Sequence, residues 1–189
     1  MAGESGVTAS AWTGVVLAGG HSSRMGRDKA YLHWRGQPLI EHMQALLTAA
    51  GASQVLVSGP YPQYGAVADV AAGLGPVGGL ISIAAAAPDG LLVIVPVDMP
   101  RLTPALLRNL AAAPDAACTC YAGHVLPLRL RLERRSRDVL DGLRSAARSG
   151  RSLRALHAAL GGTEMALTGH AAGELENCNT PEQWQEISR

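Results

Sequence analysis

A chain of 189 residues with 48% hydrophobic content can bury one sizeable core and is short for two independent ones. A formal charge of +1 excludes the broad basic surface of a general nucleic-acid binder, and 16% charged residues is too few to signal disorder, so any anion site is local. Cys118, Cys120 and Cys178 are too few for a disulfide framework, no window reaches the ~18 to 20 apolar residues of a membrane span, and the N-terminus lacks a leader's basic head and long apolar core. The expectation is a cytoplasmic chain, monomeric or weakly oligomeric, with a flexible tail over 1–12 and one domain over 13–189.

In chain order, the first apolar run, residues 14–17, is hydrophobic on both faces, as a buried parallel strand requires; 54–57 and 91–95 repeat the pattern. Between the first two, Pro38 suits a first helical turn, Leu39, Ile40, Met43, Leu46 and Leu47 recur at helical spacing, and Gly51 offers a C-cap. A second unit is predicted from a strand at 66–70, a helix over 77–87, a break at Pro88-Asp89-Gly90 and the strand 91–95. Thr103 can cap a helix running to about 110, followed by strands at 116–121 and 124–132. Ala- and Arg-rich helices are predicted over 136–148 and 152–160, divided at Ser149-Gly150. A last helix follows Thr180-Pro181-Glu182, with Gln183 placed to complete a capping box.

Strands alternating with helices predict the α/β class: a Rossmann-like three-layer sandwich with a mainly parallel central sheet and right-handed crossovers. Ligands of such sheets sit beyond the carboxyl ends of the strands, so the loops at 18–29, 58–60 and 96–100 are expected to share one cleft.

The first of these loops carries the chemistry. An apolar strand runs into a glycine-rich turn where backbone N–H groups, Arg24 and Lys29 can face one polyanion, as a triphosphate requires. Five residues separate Gly20 from Gly26, so this is not the P-loop, and Gly19-Gly20 does not open a dinucleotide fingerprint. The bland alternative is a glycine turn with two solvated cations. Asp98 follows the buried run 91–95 between Pro96 and Pro100, at a strand's carboxyl end where Mg²⁺ can bridge it to phosphate oxygens; the alternative is a carboxylate that caps a turn.

Asp69, read alone, is a loop-capping residue near the same cleft. Gly75 and Gly79 bracket a close turn into a helix, where small residues let a base or phosphate approach, although plain turn chemistry selects the same glycines. Asn177 and Asn179 are two apart, so on an extended segment both amides face one side; turn-forming asparagines are the alternative. Cys118 and Cys120 read as buried strand thiols rather than metal ligands. The run from Arg129 to Arg137 reads as a solvated strand-to-helix edge, or else as an anion patch for a second substrate.

The sequence L-A-G-G-x-S-x-R-M-G-x-D-K at 17–29 resembles the signature of nucleotidyltransferases that act on molybdenum cofactor, and most closely that of the MobA family of molybdenum cofactor guanylyltransferases. Gly75-Pro76-Val77-Gly78-Gly79, Val97-Asp98-Met99-Pro100 and Asn177-Cys178-Asn179-Thr180-Pro181-Glu182 are similar to three further family segments in the same order, and the resemblance extends over about residues 14–187.

The resemblance implies a nucleotide-diphospho-sugar-transferase-like fold with a nucleotide-binding N-terminal half and an acceptor-binding C-terminal half. It implies GTP contacts at Leu17, Ala18, Gly19, Gly20, Lys29, Ser58, Asp69, Gly75, Gly79 and Asp98, catalytic roles for Arg24, Lys29 and Asp98, Mg²⁺ on Asp98, and acceptor contacts at Asn177 and Asn179. At Ser58 the family commonly shows Asn, and His124 lies where it often carries a polar residue near the acceptor. The implied partners are GTP and molybdopterin cofactor, with cofactor-delivery and acceptor oxidoreductase proteins, and neither nucleic acid nor membrane. Similar cytidylyltransferases carry L-A-A-G in place of Leu17-Ala18-Gly19-Gly20, which favours GTP over CTP. The other alternative is a nucleotide- or pterin-binding carrier that has lost catalysis.

Overall fold

The computed structural model describes residues 11–19, 28–69, 73–167 and 171–187. At its centre, β1 (Trp12–Leu17) is flanked in parallel by β4 (Gln54–Ser58) and β5 (Gly90–Pro96). The sheet continues through β7 (His124–Leu132), antiparallel to β5, then β6 (Cys118–Tyr121), and ends with the short β8 (Thr163–Met165), which pairs in parallel with β6. Of the six strands only β7 runs against the others, so the α/β expectation of a mainly parallel sheet holds.

Both faces of the sheet are covered, and the pleat assigns each residue to a side. Val16, Val93 and Val95 pack with α1 (Leu39–Ala49) and α3 (Pro104–Ala111). Val15, Leu17, Leu92 and Ile94 pack instead with α2 (Gly75–Ala86), and beyond it lie α4 (Arg134–Ser145) and α5 (Leu153–Ala159). Two opposed apolar layers explain why β1 and β5 read as unbroken hydrophobic runs rather than as alternation.

The predicted caps at Thr103 and Thr180 start their helices, and Ser152, predicted only as the start of a helix, also caps one. Thr103 Oγ1 accepts from the N–H of Leu106, and Ser152 Oγ from that of Ala155. Before α6 (Pro181–Ile187), Thr180 Oγ1 accepts from the N–H of Gln183 while Gln183 Oε1 accepts from that of Thr180, completing a reciprocal capping box.

The structure corrects four local expectations. Pro38 lies outside α1: with ψ near 144° it ends a small hairpin of β2 (His33–Trp34) and β3 (Gln37–Pro38), strands too short to leave a periodic signal. Of the predicted strand at 66–70, residue 70 lies outside the described residues and 66–69 keep one parallel bridge, between Val67 and Ser58, just after Gly65 turns the chain at positive φ. Helix α4 begins two residues earlier than predicted, since Ser136 Oγ accepts from the N–H of Glu133 and moves the cap back. Strand β8 is missed altogether, as three residues flanked by Gly162 carry too little pattern.

Candidate nucleotide site

Strands β1, β4 and β5 end side by side, and their loops are tied by main chain: Ala18 N–H donates to Ser58 O and Val97 N–H to Leu17 O, both at 3.1 Å. Beyond these ends opens a cleft of about 400 Å³. Leu17, Ala18 and Gly19 form one edge, Asp98 and Lys29 reach in from a second, and Asn177 from a third. The remaining wall carries His124 from β7 and Arg154 from α5. Arg154 has no signal in the sequence; only the packing of α5 against β7 brings it there.

The polar centre of the cleft is Lys29. Its ammonium donates to Asp98 Oδ2 at 2.9 Å and to Asn179 Oδ1 at 2.6 Å. The Lys29 and Asp98 side chains are only 14% and 19% exposed, so their charges face each other with little solvent screening. Lys29 opens a 3₁₀ turn, Lys29–Tyr31, whose N-cap is Asp28: the Asp28 carboxylate accepts from the N–H of Ala30 at 3.0 Å. The hydroxyl of buried Tyr61 donates to the same carboxylate. Sequence reasoning marked Asp28 only as a fixed position of the 17–29 pattern, without a role, and did not single out Tyr61, because neither spacing nor composition marks a contact made across two loops.

Other expected site residues fall around this centre. Asp69 lies against Gly19: a Cβ built there would stand 3.1 Å from Asp69 Oδ2, and partial desolvation pushes the Asp69 carboxyl above the usual range. Gly75 opens α2 at φ +58°, a conformation that favours glycine. The Ser58 hydroxyl is buried against α2, with no hydrogen-bond partner among the described residues. It lies 2.6 Å from where a Cβ on Gly79 would stand, so Gly79 is required by the close passage of α2 over β4. Cys178 turns inward between the two asparagines, and burial followed by the Asp98 charge pushes its thiol up to about 11. Gly20 and Arg24 lie outside the described residues.

The arginine run is a solvated edge only in part: Arg134 and Arg135 are exposed, while three other arginines are held by the protein itself. Arg129 is buried and donates to Ala116 O, while Arg131 pairs with Asp115. Arg137 binds Asp89 and donates to Ala84 O and Ala87 O, where its charge offsets the carboxyl end of α2. These cations are committed to the protein's own acceptors. Cys118 and Cys120 are buried free thiols of β6, and among the described residues no cluster of three acidic, His or Cys side chains is placed to hold a metal ion.

The chain is similar to known proteins in sequence and in fold. The family model for the MobA-like NTP transferase domain matches residues 14–163. The molybdenum cofactor guanylyltransferase of Xanthomonas euvesicatoria pv. vesicatoria is 52% identical over 177 residues, which cover 93% of this chain and 94% of that protein. A protein of the same name from Pseudomonas putida is 30% identical over 184 residues, 91% and 95% of the two chains. Among solved structures, molybdopterin-guanine dinucleotide biosynthesis protein A from Archaeoglobus fulgidus superposes with a TM-score of 0.71, covering 93% of this chain and 96% of that one; at 19% identity the likeness is one of fold.

Proposed function

The chain belongs to the MobA-like NTP transferase family, and we propose that it transfers GMP from GTP to the terminal phosphate of the molybdenum-molybdopterin cofactor. A phosphate oxygen of the acceptor forms a bond to the α-phosphorus of GTP, the bond to the β-phosphate oxygen breaks, and pyrophosphate leaves. The acceptor phosphate is already anionic at neutral pH, so the protein's work is positioning and charge neutralisation rather than proton abstraction.

The observation that carries this reading is the Lys29–Asp98–Asn179 cluster at the mouth of the strand-end cleft. Lys29 holds a positive charge where a triphosphate would lie, and Arg24 is the second cation that the family pattern assigns to it. The main chain at Leu17, Ala18 and Gly19, with Asp69 beside Gly19, serves as the base and ribose edge. Gly75 starts α2 next to Pro76, which lines the cleft, Gly79 lets α2 pass close over β4, and Ser58 contributes through its backbone carbonyl, which holds Ala18 in place. Asn177 and Asn179 orient the acceptor.

Asp98 fits a Mg²⁺ ion delivered with the nucleotide. It supplies one hard carboxylate at the cleft mouth, and Mg²⁺ is commonly held by one or two carboxylates together with substrate phosphate oxygens. When bound, the ion neutralises charge on those oxygens. The reading places the enzyme in the cytoplasm, and no helix among the described residues is long and apolar enough to cross a membrane.

The deciding experiment compares turnover with GTP, CTP and ATP, following pyrophosphate release with Mg²⁺ and the cofactor. GTP is expected to be preferred, since this chain carries L-A-G-G at 17–20 where similar cytidylyltransferases carry L-A-A-G. Preference for CTP overturns the base assignment, and GTP binding without turnover favours a carrier.

A further inference from the structure

Tyr61 stands just beyond the end of β4 and is 3% exposed. A buried phenol needs a hydrogen-bond partner, and this one has a charged partner. Its hydroxyl lies 2.8 and 2.9 Å from the two oxygens of Asp28 and 3.3 Å from the carbonyl oxygen of Ala18. One proton serves one acceptor, and the shorter, charge-assisted bond to Asp28 takes it. Burial, and then the Asp28 contact, raise the Tyr61 phenol well above its ordinary value, so it stays a donor across the neutral range.

Asp28 is thereby pinned twice, by Tyr61 and by the N–H of Ala30. The turn that Asp28 caps begins with Lys29 and ends with Tyr31, whose ring meets that of Tyr61 edge-on at 5.7 Å. Gln63 closes the same contact by donating to the Tyr31 hydroxyl. Both ends of the Lys29 turn are therefore anchored to one short segment after β4. A lysine ammonium sits on a flexible four-carbon stem, so a fixed backbone decides where it can reach once a polyanion competes with Asp98 for it.

We infer that Tyr61 is a positioning residue, whose hydroxyl holds Asp28 in the orientation that aims Lys29 at Asp98 and Asn179; its effect on turnover rests on the guanylyltransferase reading. Substitution of Tyr61 acts through Lys29 and touches neither substrate.

Lys29 is the single lysine of the chain, so protein labelled with ¹³Cε-lysine reports on it alone. In the wild type a held stem should give two inequivalent ε-proton signals. Tyr61→Phe keeps the ring and removes the hydroxyl; the two signals should merge and kcat should fall about 10-fold, with KM for GTP changed less than about twofold. Asp28→Asn should reproduce the merged signal without touching the buried ring. Tyr64→Phe is the control, because Tyr64 donates to Glu41 on the surface, away from the cleft, and both readouts should stay at wild-type values. Wild-type Lys29 signals or wild-type kcat in Tyr61→Phe overturn the assignment. If the wild type turns over no nucleotide, the guanylyltransferase reading falls, and the Lys29 signals still decide whether Tyr61 holds the turn.

Discussion

The backbone N–H of Cys178 donates to the backbone carbonyl of Asp98 at 2.9 Å. The asparagine segment is therefore latched to the strand-end carboxylate by main chain, independently of the contacts made by Lys29. Side chains of the cleft can be exchanged without releasing this latch, which lets chemistry and folding be tested separately.

Asp98→Ala should reduce pyrophosphate release at least ~100-fold while the far-ultraviolet circular dichroism spectrum stays that of the wild type. Chelation of divalent cations should stop turnover of the wild type, and added Mg²⁺ should restore it. Near-normal turnover in the variant would remove Asp98 from the proposed metal site.

Gly79→Ala should destabilise the fold by about 1 to 3 kcal/mol through overpacking, because the new methyl would meet Ser58 Oγ at 2.6 Å. Ser58→Ala removes that oxygen, which has no hydrogen-bond partner among the described residues. The double variant should recover part of the loss, measured by urea unfolding as a non-additive cycle. Strict additivity would mean that the two positions do not press on each other.

Arg137→Ala should lower stability by about 1 to 3 kcal/mol, chiefly from the lost bonds to Ala84 O and Ala87 O. The exposed Asp89 pair adds little. The kcat of the folded variant should equal that of the wild type, since the cation is bound at the end of α2, away from the cleft. A raised KM for the acceptor would restore the anion-patch reading of this run.

Stability should decline as pH rises from about 9 to 12. Burial pushes Cys118 up to about 12, and burial with the Asp98 charge pushes Cys178 up to about 11, from an ordinary value of 9.0. Above pH 9 the unfolded chain loses these protons while the folded chain retains them, so the stabilisation is complete below pH 9 and is lost on approach to the folded values. Urea midpoints between pH 7 and 11 should fall along this course, and Cys118→Ala should show a shallower decline.

The sequence by itself determined the layered α/β class, the β1, β5 and α1 segments, the helix caps at Thr103 and Thr180, and the four motifs that mark the family. Each is a local signal: an apolar run, a spacing, or a cap residue followed by the helix it starts. Only the tertiary structure decided that Lys29 meets both Asp98 and Asn179, that Tyr61 holds the turn from which Lys29 reaches, that Arg154 faces the cleft, and that Arg129 and Arg137 are spent on the protein's own acceptors. These contacts join segments far apart in the chain. Whether a cation faces a ligand or a carbonyl depends on which strand ends lie side by side, and no local pattern encodes that.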